Sequence, residues 1–308
     1  MLIFMRIRGH VVSFVMLLVG LLASPLKVQA NVPAHLEPLR REIEVTALRY
    51  FLDHAHPVTG LVRDKANAFG ATPASNVVAS IAATGFGLAV VANASEQGFV
   101  SRNDGEAYSL RVLRYTEKRL VRHKGWFFHF VDWSNGSRAW KSEVSTIDTA
   151  LFLAGALYAG EIFGGETKAI AERLYAAVDF HEFMTDGGKN PAKRTLSLSY
   201  TPEKGFVPYQ WEVYSEQMIL LILGLGHPTR PLPDESWDAW RRHYLPPPWQ
   251  QVMGVEMPLF IHQYSQAFVD FRAYSDGYPS YFENSVQATQ LHRAMAKIDA
   301  RYETLRRG

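Results

Sequence analysis

The chain has 308 residues, 47% apolar and 20% charged, a composition that supports a sizeable core and excludes a disordered or fibrous polypeptide. Its formal charge of +2 owes its sign to the N-terminus: without Arg6, Arg8 and Lys27 the remainder carries 29 basic against 30 acidic residues, leaving no basic footprint for nucleic acid. Cysteine is absent, which excludes disulfides, thiolate metal sites and a lipid-bearing cysteine together.

Residues 1–30 read as a secretory signal peptide. Arg6 and Arg8 form a positive start, Val11–Leu22 is apolar, and Val28-Gln29-Ala30 is a small-x-small cleavage site before Asn31. The apolar run is shorter than the roughly 20 residues of a spanning helix. Cleavage is therefore expected, with no stable membrane span afterwards and a periplasmic or secreted domain over residues 31–308. A chain free of cysteine suits a compartment that oxidises unpaired thiols.

The domain reads as helices joined by loops rich in aromatic residues, Gly and Pro. His35–His54 carries Leu36, Leu39, Ile43, Ala47, Leu48 and Phe51 at helical spacing. Val77–Ala94 is apolar and small on every side, which marks a buried helix. Asn103–His123 is amphipathic. Ser145–Ile162 is again apolar and rich in Ala and Gly, and Ser145 with Asp148 matches a capping box at its start. Lys168–Phe183, Ser215–Leu225, Ser236–Tyr244, Leu259–Phe271 and Asn284–Arg306 complete a series of nine or ten predicted helices. Phe127–Val131 and Leu196–Tyr200 read as short extended pieces. Buried, small-residue helices take turns with amphipathic ones, a pattern that suits a double ring better than a simple bundle. The expected fold is an all-α toroid.

Four clusters carry chemistry. In the first, Trp126, Trp133 and Trp140 lie near Asp132, Glu143 and Asp148 at the mouth of a buried helix. Aromatic faces pack on sugar rings, while carboxylates bind hydroxyls or move protons. The aromatics read equally well as core, and Asp148 as a cap; Glu143, a charge among Trp and Val, needs a partner. In the second, Trp211, Tyr214 and Glu216 precede the very apolar run Met218–Leu223. The field of a helix N-terminus favours ionised Glu216. The third holds His262, Gln263 and Tyr264, then Asp270 and Arg272, the last two reading first as an ion pair. The fourth, His54-x-His56, lacks a third ligand at a recognisable spacing and precedes Pro57, so no metal site is expected. No nucleophile elbow, phosphate loop or dinucleotide fingerprint occurs. Paired carboxylates among aromatics leave glycoside hydrolysis as the economical chemistry.

These residues resemble the glycoamylase-like family, which includes bacterial endo-β-1,2-glucanases and the transglycosylating domain of cyclic β-1,2-glucan synthases. The resemblance is carried by the runs 50–64 (YFLDHAHPVTGLVRD), 80–89 (SIAATGFGLA), 126–158 (WFFHFVDW…SEVSTIDTALFLAGALY), 211–228 (WEVYSEQMILLILGLGHP), 258–272 (PLFIHQYSQAFVDFR) and 281–293 (YFENSVQATQLHR). It implies an (α/α)6 toroid of six inner and six outer helices, and acid/base hydrolysis of a glucan without a cofactor. By motif it implies Glu143 and Glu216 as the principal carboxylates and Asp148 and Asp132 as secondary ones, with acid and base unassigned. Trp126, Trp133, Trp140, Trp211, Tyr214, His262, Gln263 and Tyr264 are implied as subsite walls. Family members continue well past the last of these runs. The expected ring is therefore incomplete at its C-terminus, with an open edge for a partner or for self-association.

Overall fold

The computed structural model describes residues 2–7, 10–15, 33–67, 70–184, 193–242 and 252–298. Within the expected signal, Leu2–Ile7 and His10–Val15 are extended; the rest of that segment lies outside the described residues. Two compact units emerge. One is built mainly from His10–Asp179 with Thr201–Glu203, the other from Phe180–Tyr200 and Lys204–Gly308.

The first unit holds α1 (Glu37–Asp53), α2 (Ile81–Glu96), α3 (Arg102–Arg119), α4 (Thr146–Phe163) and α5 (Gly165–Ala176). Helices α2 and α4 are the inner pair and pack along each other, while α1, α3 and α5 lie outside them. This reproduces the expected alternation of buried and amphipathic helices. Helix α4 is long and apolar enough to cross a bilayer, yet 78% of it is buried as a core helix. Small residues let the inner pair approach backbone to backbone at Gly85 and Gly155. Helix α1 uses its apolar face only in part: Leu48 is buried, but Leu36, Leu39 and Ile43 stay exposed.

Between α3 and α4 the chain is extended, as the aromatic run Phe127–Val131 suggests. Phe130–Asp132 pairs antiparallel with Val78–Ser80, and Phe128 bridges to Val144. The N-H of Ile81, the first residue of α2, donates to the His129 carbonyl (3.1 Å). Both inner helices thus begin beside one extended segment. Each starts on a serine cap: Ser80 Oγ accepts from Ala83 N (3.2 Å) and Ser145 Oγ from Asp148 N (3.3 Å).

The second unit holds α6 (Met218–Leu225), buried on every side, and α7 (Tyr281–Ile298). Among the described residues there are seven α-helices, fewer than periodicity predicts. The differences have physical causes. Ser236–Tyr244 is not an α-helix over its described part, because Arg241 pairs in parallel with Val213 and pulls the chain straight. Leu259–Phe271 is a series of single 3-10 turns. There Ser265 Oγ donates to Glu216 O (2.8 Å) and accepts from Ile219 N (3.1 Å), which ties these turns to the start of α6. The predicted Lys168–Phe183 helix ends at Ala176, and only a 3-10 turn follows at Phe180–Phe183. Beyond Ile298 the predicted last helix lies outside the described residues.

Candidate active site

In the first unit, the loop 138–143 folds back onto the strand Phe130–Asp132. Ala139 N donates to Phe130 O (3.0 Å), Ser142 Oγ donates to Phe130 O (2.8 Å), and His129 N donates to Glu143 O (2.9 Å). Arg138 braces the loop from one side. Its guanidinium donates to Ser142 O (2.6 Å) and Lys141 O (2.7 Å), and pairs with Glu203 (2.6 Å). Trp140 and Lys141 both sit in the left-handed region, at φ 50° and 59°. That conformation costs non-glycine residues on the order of 1 kcal/mol each. It is held by the bonds just described, and it leaves Trp140 69% exposed.

The loop brings Glu143 onto His129, with Nδ1 and Oε1 2.7 Å apart. The other ring nitrogen, Nε2, stands 3.3 Å from Asp148 Oδ1 in the first turn of α4. The remaining oxygen of Asp148 accepts from the Ser145 hydroxyl. One imidazole therefore bridges two carboxylates. The His129 ring stacks on Phe130 (3.7 Å between centroids), and Phe130 packs against Trp140 (5.6 Å), so the bridge backs onto an aromatic shelf.

The two carboxyls live in different surroundings. The hydrogen bond from His129 holds Glu143 below the usual carboxylate range, against some burial. Burial pushes Asp148 above that range, opposed by His129 and Ser145. Burial also works against a charged His129, but the Glu143 hydrogen bond and the charges of Asp148, Glu143 and Asp64 outweigh it and raise the imidazole. Two carboxyls whose proton affinities are driven apart are what acid/base chemistry requires. His129 was within reach of the sequence, in the run WFFHFVDW, but a histidine among aromatics reads as a core residue until its partners are seen.

The other predicted residues of this unit have different work. Trp126 is fully buried and donates Nε1–H to Asp179 O (2.9 Å), which makes it core and corrects its expected place in a subsite wall. The Arg63 guanidinium lies 3.8 Å over the Trp133 ring, whose Nε1–H goes to His54 O (3.0 Å), so Trp133 is an internal brace. Asp132 Oδ1 accepts from Ser134 N (2.8 Å) and Asn135 N (3.0 Å), forming a turn. His56 Nδ1 accepts from Thr59 N (3.1 Å).

In the second unit, Glu216 precedes Gln217, the N-cap of α6, and its Oε2 accepts from Ser215 Oγ (2.9 Å). Tyr214 and His262 are buried against each other, 3.3 Å from hydroxyl to Nδ1, and His262 Nε2 lies 3.1 Å from Gly254 O. Both are core residues, which again corrects the expected wall. Tyr264 stacks on Phe260 (5.1 Å); Gln263 is exposed and Trp211 half-buried. Asp270 and Arg272 form a bidentate pair, 2.7 Å at each bond, and satisfy one another. Among the described residues no cluster of His, Asp and Glu is arranged to hold a metal ion.

Buried helices alternating with amphipathic ones, with acids at the mouths of the inner helices, make this an α/α-type fold. The comparisons bear out the resemblance to the glycoamylase-like family. Residues 208–307 match the family described as "Putative glucoamylase". An exo β-1,2-glucooligosaccharide sophorohydrolase (non-reducing end) of Parabacteroides distasonis is 23% identical over 304 residues, covering 86% of this chain and 40% of that protein. The chain thus spans about two-fifths of the length of the curated relative it matches. A "putative glucoamylase" from Bacteroides caccae superposes with a TM-score of 0.73 at 25% identity, over 86% of this chain and 69% of that one. An endo-β-1,2-glucanase from Chitinophaga pinensis, solved with sophorotriose and glucose, gives 0.69 at 22% identity, over 84% and 66%.

Proposed function

We propose that this chain is a glycoside hydrolase that cuts a glucan, with β-1,2-linked chains as its substrate class, by carboxylate acid/base catalysis without a cofactor. One observation carries the reading: Glu143 and Asp148 share the imidazole of His129, which stacks on Phe130, and Phe130 packs in turn against the exposed ring of Trp140. Cleaving a glycosidic bond takes one carboxyl that holds a proton and one that does not. Glu143, held ionised, suits the second role. By motif alone Glu216 stays a principal carboxylate candidate, with no acid or base role assigned to it, and Asp148 a secondary one. Trp140 offers the flat apolar face on which a pyranose ring packs. Two of the similar proteins named above, the sophorohydrolase and the endo-β-1,2-glucanase, act on β-1,2-linked glucans by description, which supports the linkage. Export through residues 1–30 to the periplasm or beyond belongs to the same proposal, supported by the charge and cleavage pattern of that segment.

The test is incubation of the purified protein with linear β-1,2-glucan. New reducing ends and short oligosaccharides are expected. Saturable binding without new reducing ends would instead make the chain a glucan-binding protein, and neither binding nor cleavage would remove the carbohydrate reading. A mature N-terminus at Asn31, read from exported protein, tests the signal.

A further inference from the structure

We propose that His129 is the positioning residue of this site: Nδ1–H holds Glu143 as a carboxylate, while Nε2 and Asp148 Oδ1 share a single proton. The proposal rests on the hydrolase reading for its purpose, though not for its geometry.

The proton count follows from that geometry. At 2.7 Å, Nδ1 and Glu143 Oε1 are joined by one hydrogen, and an ionised carboxylate can only accept it. Nε2 then faces Asp148 Oδ1 across 3.3 Å in one of two states. Either the ring is an imidazolium and Asp148 is ionised, or the ring is neutral and Asp148 is protonated. The change between them moves one proton from Nε2 to Oδ1 and leaves the Nδ1–H bond to Glu143 in place. Glu143 therefore keeps its donor, and its charge, in both states. The Glu143 side chain is 36% exposed, so substrate can reach the carboxylate.

Other groups near the bridge do not alter the count. Asp64 adds a negative charge that favours the imidazolium. Arg138, on the loop that bears Glu143, is neutralised by Glu203 and occupied by two backbone carbonyls. Phe130 covers one face of the ring. The backbone of His129 is tied independently, its N–H to Glu143 O (2.9 Å) and its carbonyl to Ile81 N (3.1 Å). Replacing the imidazole therefore leaves the ladder intact, so a loss of activity in a folded variant is not a loss of fold.

Two measurements test the proposal. The first is NMR titration of the His129 ring in the wild type, Glu143→Gln and Asp148→Asn proteins. The expected result is a wild-type midpoint above that of free histidine, lowered by either substitution. A midpoint at the free value that ignores both substitutions overturns the proposal. This readout needs no turnover, so it decides on His129 even if no glucan is cleaved and the hydrolase reading fails. The second is the pH profile of His129→Phe, with helix content checked by circular dichroism. Without its donor Glu143 titrates higher, so the acid limb should move up by about one pH unit. kcat should fall roughly tenfold or more with KM little changed. A folded variant with an unmoved acid limb overturns the proposal, and if that variant does not fold the wild-type titration decides.

Discussion

Gly155 lies so close to Gly85 that a methyl group on Gly155 would stand 1.9 Å from the Gly85 carbonyl oxygen. In the other direction, a methyl on Gly85 would meet the Phe152 backbone at 2.3 Å. The inner helices α2 and α4 cross without a side chain between them, and their serine caps flank His129. Gly155→Ala must push the helices apart, at about 1–3 kcal/mol or somewhat more. Equilibrium denaturation should show the loss, and an unchanged unfolding midpoint would mean that the crossing has slack.

Arg242 is the second structural lock. Its guanidinium stacks 3.6 Å from the Trp240 ring and 3.8 Å from the Tyr278 ring, and donates to Trp237 O (2.8 Å) and Tyr281 Oη (2.7 Å). The side chain is only 4% exposed. Arg242→Met should cost about 3 kcal/mol, moderated because Asp276 keeps the Trp237 Nε1–H and Tyr281 O–H donors. Arg242→Lys should not rescue it, since an ammonium lacks the flat faces and the fork. Thermal unfolding of both variants checks this.

These two locks differ in how far the sequence shows them. The all-small faces of α2 and α4 announce buried helices, and Ser145 with Asp148 marks the start of α4 to within a residue. The aromatic box around Arg242 joins residues about forty positions apart and leaves no periodic trace. The same limit explains the misread helices. Apolar spacing at Leu259–Phe271 is compatible with a helix, but the segment is broken into 3-10 turns whose tie to α6 through the Ser265 hydroxyl no local pattern encodes. At the site, Glu143 and Asp148 stand out as charges among apolar residues. His129 does not, because its role depends on a hairpin that brings position 143 back onto position 129. Trp126 and Tyr214 show the reverse: aromatic type alone does not tell a wall from a core.

The protonation of Asp148 gives a pH-dependent stability with a definite sign. Burial raises its folded value above the unfolded one, so its contribution is full at pH below the ordinary Asp range and is lost as pH rises through the folded value. Asp148→Asn has no such loss. Its stability relative to the wild type should improve on going from about pH 4 to about pH 8. Urea titrations at both pH values check this, and a constant difference would contradict the assignment.

Trp140 is exposed and held by its backbone, so its side chain should matter to ligand more than to fold. Trp140→Ala should change stability by no more than about 0.5 kcal/mol. Oligosaccharide affinity should fall by about 0.5–1.5 kcal/mol, or roughly twofold to twelvefold. Calorimetric titration with a β-1,2-linked oligosaccharide measures it.

The most direct test of the account is the rate at which Glu143→Gln releases reducing ends from linear β-1,2-glucan, beside the wild type and Glu216→Gln. The amide keeps the shape of the side chain and the Oε1 acceptor facing His129, and removes only the charge. A fall of about a hundredfold or more in kcat, with the fold intact, is the predicted result. Full activity in the folded Glu143→Gln protein would contradict the assignment of catalysis to this carboxylate.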